Sequence, residues 1–85
     1  MTHKNYTSEF LEIINFVVAD RGYVFERQSK ISDLLNPDVL DPETMIGAAA
    51  DALDVEFEAI DQGLISPDAD TVESMMIKLA SSSHP

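Results

Sequence analysis

The chain is expected to fold as a small all-α domain with three main helices and one or two short ones. Apolar residues recur at helical spacing in three separate windows. No alternating run and no hairpin dipeptide marks a strand. The length, 85 residues, suits a single domain whose core is small and whose stability margin is thin. The helical core is placed at about residues 8–80, with a frayed tail over 81–85.

The first helix is read over about residues 8–21. Phe10, Ile13, Ile14, Val17 and Val18 stand at i, i+3, i+4, i+7 and i+8, so one face is apolar. Ser8 or Thr7 is placed to cap the start, and Gly22 offers the left-handed stop.

Residues 22–40 then form a connection carrying Tyr23, Phe25, Ile31, Leu34 and Leu35. It is longer than the usual link between packed helices, and a loop so apolar must fold back over the core. A short helical turn near Ser29–Leu35, ended by Pro37, is expected inside it. Tyr23 and Phe25 are expected to cover the end of the bundle rather than bind a ligand.

The second main helix, about residues 41–56, opens with the strongest local signal. Asp41 is a good N-cap. Pro42 occupies the first helical position, where a missing N–H is no loss, and Glu43 suits the positive helix end. Met45, Ile46, Ala49, Ala50, Leu53 and Phe57 fall on one apolar stripe. Gly47 costs about 1 kcal/mol against alanine. With Ala48–Ala50 it leaves a smooth surface that a second backbone could approach closely. Asp51, Asp54 and Glu58, at i, i+3 and i+7, are read as an acidic ridge opposite the stripe.

Residues 58–62 leave room for one or two helical turns before Gly63. The last helix, about residues 70–80, is opened by Asp70, whose spacing to Glu73 is that of a capping box. Val72, Met75, Met76 and Leu79 form its apolar stripe. Together with Met45, these methionines are read as core filler rather than as an adaptable binding surface.

Sixteen acids against five bases give a net charge of −11. The charge is uneven. Residues 1–30 balance Glu9, Glu12, Asp20 and Glu26 against Lys4, Arg21, Arg27 and Lys30, whereas residues 31–77 hold twelve acids and no base. Free nucleic acid and anionic membrane surfaces are therefore not expected as partners, since both are bound through Lys and Arg. The basic patch of a partner protein is, because such a field speeds its encounter.

The absence of cysteine excludes a disulfide framework, a thiolate nucleophile and a sulfur-ligated zinc site. His3 and His84 stand near opposite ends and no metal site is expected from them. Carboxylates are abundant, but no nucleophile accompanies them and no glycine-rich phosphate loop is present, so no enzyme is expected. No apolar run approaches the roughly 20 residues of a membrane span. Met1-Thr2-His3-Lys4-Asn5 lacks the apolar stretch of a signal peptide. These features are read as a soluble, cytoplasmic monomer.

Three segments carry a family resemblance. Leu35-Asn-Pro-Asp38-Val39-Leu40-Asp41 stands where a Leu-Gly-x-Asp-Ser-Leu-Asp motif would open the second helix. Ile31 takes the place of an apolar residue common in the loop before it, and Thr71-Val72 through Leu79 is similar to a Thr-Val-started last helix. Together, over residues 8–80, they resemble the acyl carrier protein family. The stretch between the second and last helices is a few residues longer than is usual there.

The resemblance implies an acyl-carrier-protein-like four-helix bundle with a long loop between its first two main helices. In the family the motif serine carries phosphopantetheine. Here Val39, flanked by Asp38 and Leu40, stands in its place. Valine has no hydroxyl to attack a phosphoryl group, so the chain as written takes no cofactor. Ser29, Ser32 and Thr44 are the nearest hydroxyls, and none is expected to substitute. The resemblance thus implies a non-catalytic module that docks, through the start and acidic face of the second main helix, on a basic patch of an enzyme of fatty acid or polyketide biosynthesis or of a regulator. Asp38, Asp41, Asp51 and Asp54 would make the ionic contacts, around a small apolar centre of Val39, Leu40 and Met45; the alternative is that Val39 merely tucks inward. Two other readings stand beside it. One is an acidic inhibitor or nucleic-acid mimic, motivated by the base-free stretch. The other is a true acyl carrier protein whose attachment serine is substituted at residue 39.

Overall fold

A computed structural model describes residues 5–83. His3, His84 and the end of the expected tail lie outside the described residues. Among the described residues the chain is all-α, with four α-helices, three 3₁₀ turns and no strand beyond one isolated bridge, Lys30 to Thr71.

Helix α1 spans Tyr6–Val18 and tightens into a 3₁₀ turn, Ala19–Arg21. Phe10, Ile14 and Val18, one per turn, are fully buried, and Ile13 and Val17 pack half-buried beside them. The cap differs from the Ser8 or Thr7 expected. Asn5 fills that role, its Oδ1 accepting the Ser8 N–H at 3.1 Å, and Thr7 is buried. Asparagine caps as well as serine, so the helix gains most of a turn. Gly22 ends the element at φ +78°, as its freedom from a Cβ clash allows.

Helix α2, Ile31–Leu34, sits in the connection where a short turn was expected. The connection is a layer of the fold, because Phe25, Ile31, Leu34, Val39 and Leu40 all reach the core. Three devices hold it down. The Asn15 side chain bonds both backbone groups of Phe25. Tyr23 stacks on Phe25, with ring centroids 6.2 Å apart and planes 5° from parallel. Backbone bonds then lace the connection to the approach of the last helix, α4, which spans Val72–Ser83. Ile31 and Ser32 donate to the carbonyls of Asp70 and Pro67, both at 3.0 Å. Val72 and Glu73 donate to Ser29 and Arg27 at 2.9 and 3.1 Å. The first N–H groups of any helix lack partners within it, so the starts of α2 and α4 satisfy one another through their flanking chains.

Helix α3, Pro42–Leu53, is the centre of the molecule. Seven of its twelve residues are buried, which leaves only one narrow stripe facing water. Ala48, Ala49, Ala50 and Ala52 are among the seven, so the smooth surface serves packing within the chain, where α3 meets α1 and α4. The helix stops short of the expected 41–56. Asp54 turns left-handed at φ +58°. Its N–H bonds the Asp51 carbonyl at 3.2 Å, and the Val55 N–H bonds Ala50 at 3.0 Å, the paired closure of a Schellman motif. Phe57 therefore leaves the stripe and lies in a 3₁₀ turn, Phe57–Ala59, 37% exposed. The expected ridge also dissolves, since Asp54 and Glu58 fall beyond the last helical turn and only Asp51 stays on it. A second 3₁₀ turn follows at Gln62–Leu64.

Helix α4 runs past the expected end, so 81–83 are helical rather than frayed. Its capping box pairs Thr71 with Ser74 instead of Asp70 with Glu73. The Ser74 N–H donates to Thr71 Oγ1 at 3.3 Å, and the Thr71 N–H donates to Ser74 Oγ at 2.9 Å. Asp70 points inward instead, only 4% exposed. Its carboxylate accepts the Ser66 N–H at 2.9 Å, the Ser74 hydroxyl at 3.0 Å and the Lys78 ammonium at 2.9 Å. Burial alone would raise its pKa. The bonds from Ser66, Lys78 and Ser74, with the Lys78 charge, outweigh burial and hold it below the ordinary carboxylate value. Glu73 pairs with Arg27 at 3.5 Å. Met45, Met75 and Met76 are all core residues.

Candidate functional site

The site argued from sequence lies where the connection enters α3. Pro37 opens a single tight turn there. The Asn36 carbonyl accepts the N–H groups of Val39 and Leu40 at 2.8 and 3.0 Å, while Asn36 Oδ1 accepts that of Asp38 at 3.0 Å. This turn sends side chains two ways. Asp38 and Asp41 face water, while Val39 and Leu40 are 2% and 3% exposed. Met45, on the next turn, is buried too.

The apolar contact centre expected of Val39, Leu40 and Met45 is therefore not at the surface, and Val39 takes the inward alternative. These side chains anchor the turn and the first part of α3 to the core, where burying each is worth roughly 1.5–3 kcal/mol. What remains at the surface is ionic: Asp38, Asp41 and Glu43 at the start of α3, Asp51 in its last turn and Asp54 at its end.

Asp41 has the extended backbone of an N-cap, at φ −87° and ψ 158°, but its carboxylate makes no full cap bond. The hydroxyl of Thr44 beside it holds its pKa below the ordinary value. Desolvation opposes this less strongly than Thr44 acts, and the N–H groups of Asp41 and Thr44 and the charge of Arg21 add lesser effects in the lowering direction. Arg21 and Thr44 share with Asp41 a pocket of about 240 Å³ whose walls include Val39 and Leu40. A second, more apolar slot of about 140 Å³ opens between Leu35, Met45 and Ile46 on one side and Ile65 and Pro67 on the other. A larger groove, about 400 Å³, lies elsewhere, between Tyr6 and Thr7 of α1 and Met76, Ile77 and Ala80 of α4.

Of the twelve acids in residues 31–77, Asp70 and Glu73 are ion-paired, by Lys78 and Arg27. The other ten are exposed and, among the described residues, form no ion pair, although the charge of Arg21 reaches Asp41. Asp51, Asp38 and Asp41 thus share one field with Glu43 and Asp54. On α3 itself, Glu43, Gly47 and Asp51 stand at i, i+4 and i+8 along the outward stripe. A Cβ built on Gly47 would meet no atom within 4 Å. Glu43 and Asp51 therefore bracket bare backbone, with Cα atoms roughly 12 Å apart along the axis.

Arg21, Glu43 and the slot were missed in the sequence. Glu43 was assigned only a helix-dipole role, although its place beside Asp41 carries the signal. The slot had no local signal, because its two walls lie some twenty residues apart in the chain. Among the described residues no group of His, Asp and Glu is arranged to hold a metal ion, and no helix is long and apolar enough to cross a membrane. Compared with protein-family models, curated proteins and solved structures, the chain matches none.

Proposed function

We propose that this chain is a non-catalytic docking module of the acyl-carrier-protein-like, four-helix-bundle type. It engages a basic patch on a partner protein, such as a biosynthetic enzyme, through the acids around α3. It works as a cytoplasmic monomer, takes no phosphopantetheine and binds neither nucleic acid nor membrane. One observation carries the reading: among the described residues the ten exposed acids between Asp33 and Asp68 form no ion pair, with only the charge of Arg21 reaching Asp41, while Lys78 and Arg27 are taken up by Asp70 and Glu73. Surface charges left unpaired create a potential that steers a cationic partner and sets its register.

The order of elements supports the carrier-like form of the proposal. A long connection bearing short α2 leads through Asp38-Val39-Leu40 into α3. The inward turn of Val39 counts against a carrier merely lacking its serine, since a hydroxyl at that position would sit in the core. The mimic reading gains nothing from α4, whose Glu73 and the neighbouring Asp70 are neutralised within the chain.

The test is association of the ¹⁵N-labelled chain with a broad-specificity phosphopantetheinyl transferase, an enzyme that must read carrier surfaces. Amide shifts are expected over 38–54 at low salt, fading towards about 0.15 M, where the screening length is near 8 Å. No association at low salt overturns the proposal.

A further inference from the structure

We propose that the pocket shared by Arg21, Asp41 and Thr44 binds a small α-amino acid, its carboxylate on Arg21 and its ammonium on Asp41. This goes beyond the docking reading above and does not rest on it. The pocket, about 240 Å³, is built where three parts of the fold converge. Arg21 comes from the 3₁₀ turn after α1, Pro37 from the tight turn before α3, and Asp41 and Thr44 from the start of α3 itself. It is smaller than a drug-sized ligand site and suits a small metabolite.

Arg21 and Asp41 carry opposite charges in one pocket, yet they are not joined. Arg21 is exposed, and among the described residues its guanidinium makes no ion pair and no hydrogen bond. Asp41 is equally open, since its carboxylate makes no cap bond to the first turn of α3. The two are near enough to feel one another. The Thr44 hydroxyl chiefly, and the Arg21 charge in lesser degree, hold the Asp41 carboxyl below its ordinary range. Opposite charges that line one cavity without meeting leave both hydrogen-bonding groups open to an occupant.

The pair of charges decides what that occupant is. A simple anion gains Arg21 but meets Asp41 and a chain of net charge −11. A simple cation gains Asp41 but meets Arg21. An occupant carrying both charges satisfies both sides at once. In so small a pocket its two charges must stand close together, as they do about the α-carbon of an amino acid. Guanidinium grips a carboxylate through two parallel bonds, and ammonium–carboxylate bonds are charge-assisted as well. The Thr44 hydroxyl is both donor and acceptor and can serve either group. Val17, half-buried, and Pro37, exposed, add apolar wall for an aliphatic side chain.

The experiment titrates the full ¹³C-methyl-labelled chain with L-leucine. Parallel titrations use isocaproate, which is leucine without its amine, and isoamylamine, which is leucine without its carboxylate. The methyl signals of Val17, Val39, Leu40 and Thr44 are expected to move with leucine at about tenfold lower concentration than with either control, since each control forfeits one charge-assisted contact. The Ile77 methyls, which line the groove between α1 and α4, should stay still. Arg21→Gln should bring leucine level with isoamylamine. Asp41→Asn, which keeps an equally good helix cap, should bring it level with isocaproate. The proposal is overturned if either control binds as tightly as leucine, if leucine leaves the pocket methyls still, or if its advantage survives in either variant. None of these results touches the docking reading, whose own failure is the absence of transferase association at low salt.

Discussion

Asn15 holds the backbone of Phe25 at both ends: its Oδ1 accepts the Phe25 N–H at 2.8 Å, and its Nδ2 donates to the Phe25 carbonyl at 3.1 Å. A single side chain thereby does what a paired strand would do, on a segment that has left α1 and has no sheet to join. It also fixes which way the segment faces, sending Phe25 into the core and leaving Val24 78% exposed.

Asn15→Ala should lower stability by about 1–3 kcal/mol, since it deletes two partly buried bonds and strands their backbone partners. Urea denaturation measures the change. Asn15→Asp keeps the acceptor but not the donor and should lie between the two. An alanine variant within about 0.5 kcal/mol of the parent, the usual range of surface substitutions, would show that the connection is held elsewhere.

Asp70 makes stability depend on pH. Its pKa is lowered in the folded state, so the unfolded chain takes up the proton first as pH falls. The contribution is therefore complete above the ordinary value of 3.8 and is lost as pH falls below it towards the folded value. Asp70→Asn should cost about 1–3 kcal/mol at neutral pH. The gap between parent and variant should narrow at about pH 3. Denaturation at the two pH values gives both gaps, and equal gaps would refute the assignment.

Val39→Ser replaces a side chain 2% exposed by a hydroxyl aimed at the core. It should destabilise the chain by roughly 1–3 kcal/mol through lost burial and an unsatisfied polar group. Incubated with coenzyme A and a phosphopantetheinyl transferase, neither parent nor variant should gain mass. A mass gain in the variant would revive the reading of a carrier with a substituted serine.

Gly47→Ala should raise stability by about 1 kcal/mol, because the new methyl meets open space and alanine loses less entropy in a helix. Thermal unfolding should shift upward by about 4–8 °C for a domain of this size. If the same change weakens partner association, the bare backbone between Glu43 and Asp51 is a contact. If stability falls instead, the open space is filled in solution.

Charge reversal separates a local face from a diffuse polyanion. Asp38→Lys with Asp51→Lys should weaken transferase association at least about tenfold. Glu12→Lys with Asp20→Lys, equally exposed on α1 and its 3₁₀ turn, changes net charge by the same amount and should do far less. Asp41 is spared because it opens α3. Equal losses in a binding titration would favour the mimic.

Helical periodicity made α1, α3 and α4 legible, because a buried stripe at period 3.6 is written into adjacent turns. Gly22 and Asp41-Pro42 were legible for the same local reason: each acts through its own backbone. The uneven charge was equally plain, as composition alone states that residues 31–77 lack a base. What failed were choices between local candidates. Asp54 ended α3 early because a Schellman closure won over a continuing period, and aspartate seldom announces a left-handed turn. Thr71 displaced Asp70 from the cap because a lysine eight residues on and the Ser66 N–H offered Asp70 a buried partnership.

Tertiary structure alone decided the site. Whether Val39, Leu40 and Met45 face out or in depends on a turn made by Asn36 and on the core available beneath it. The mutual capping of α2 and α4, and the slot between α3 and Ile65, join segments far apart in sequence. Such pairings leave no periodic trace, because hydrogen bonds and cavities form between surfaces and sequence records only neighbours along the chain. The sequence by itself determined that this protein is helical, acidic and without a nucleophile at residue 39. Packing decided which of its acids stay exposed and which apolar side chains are buried.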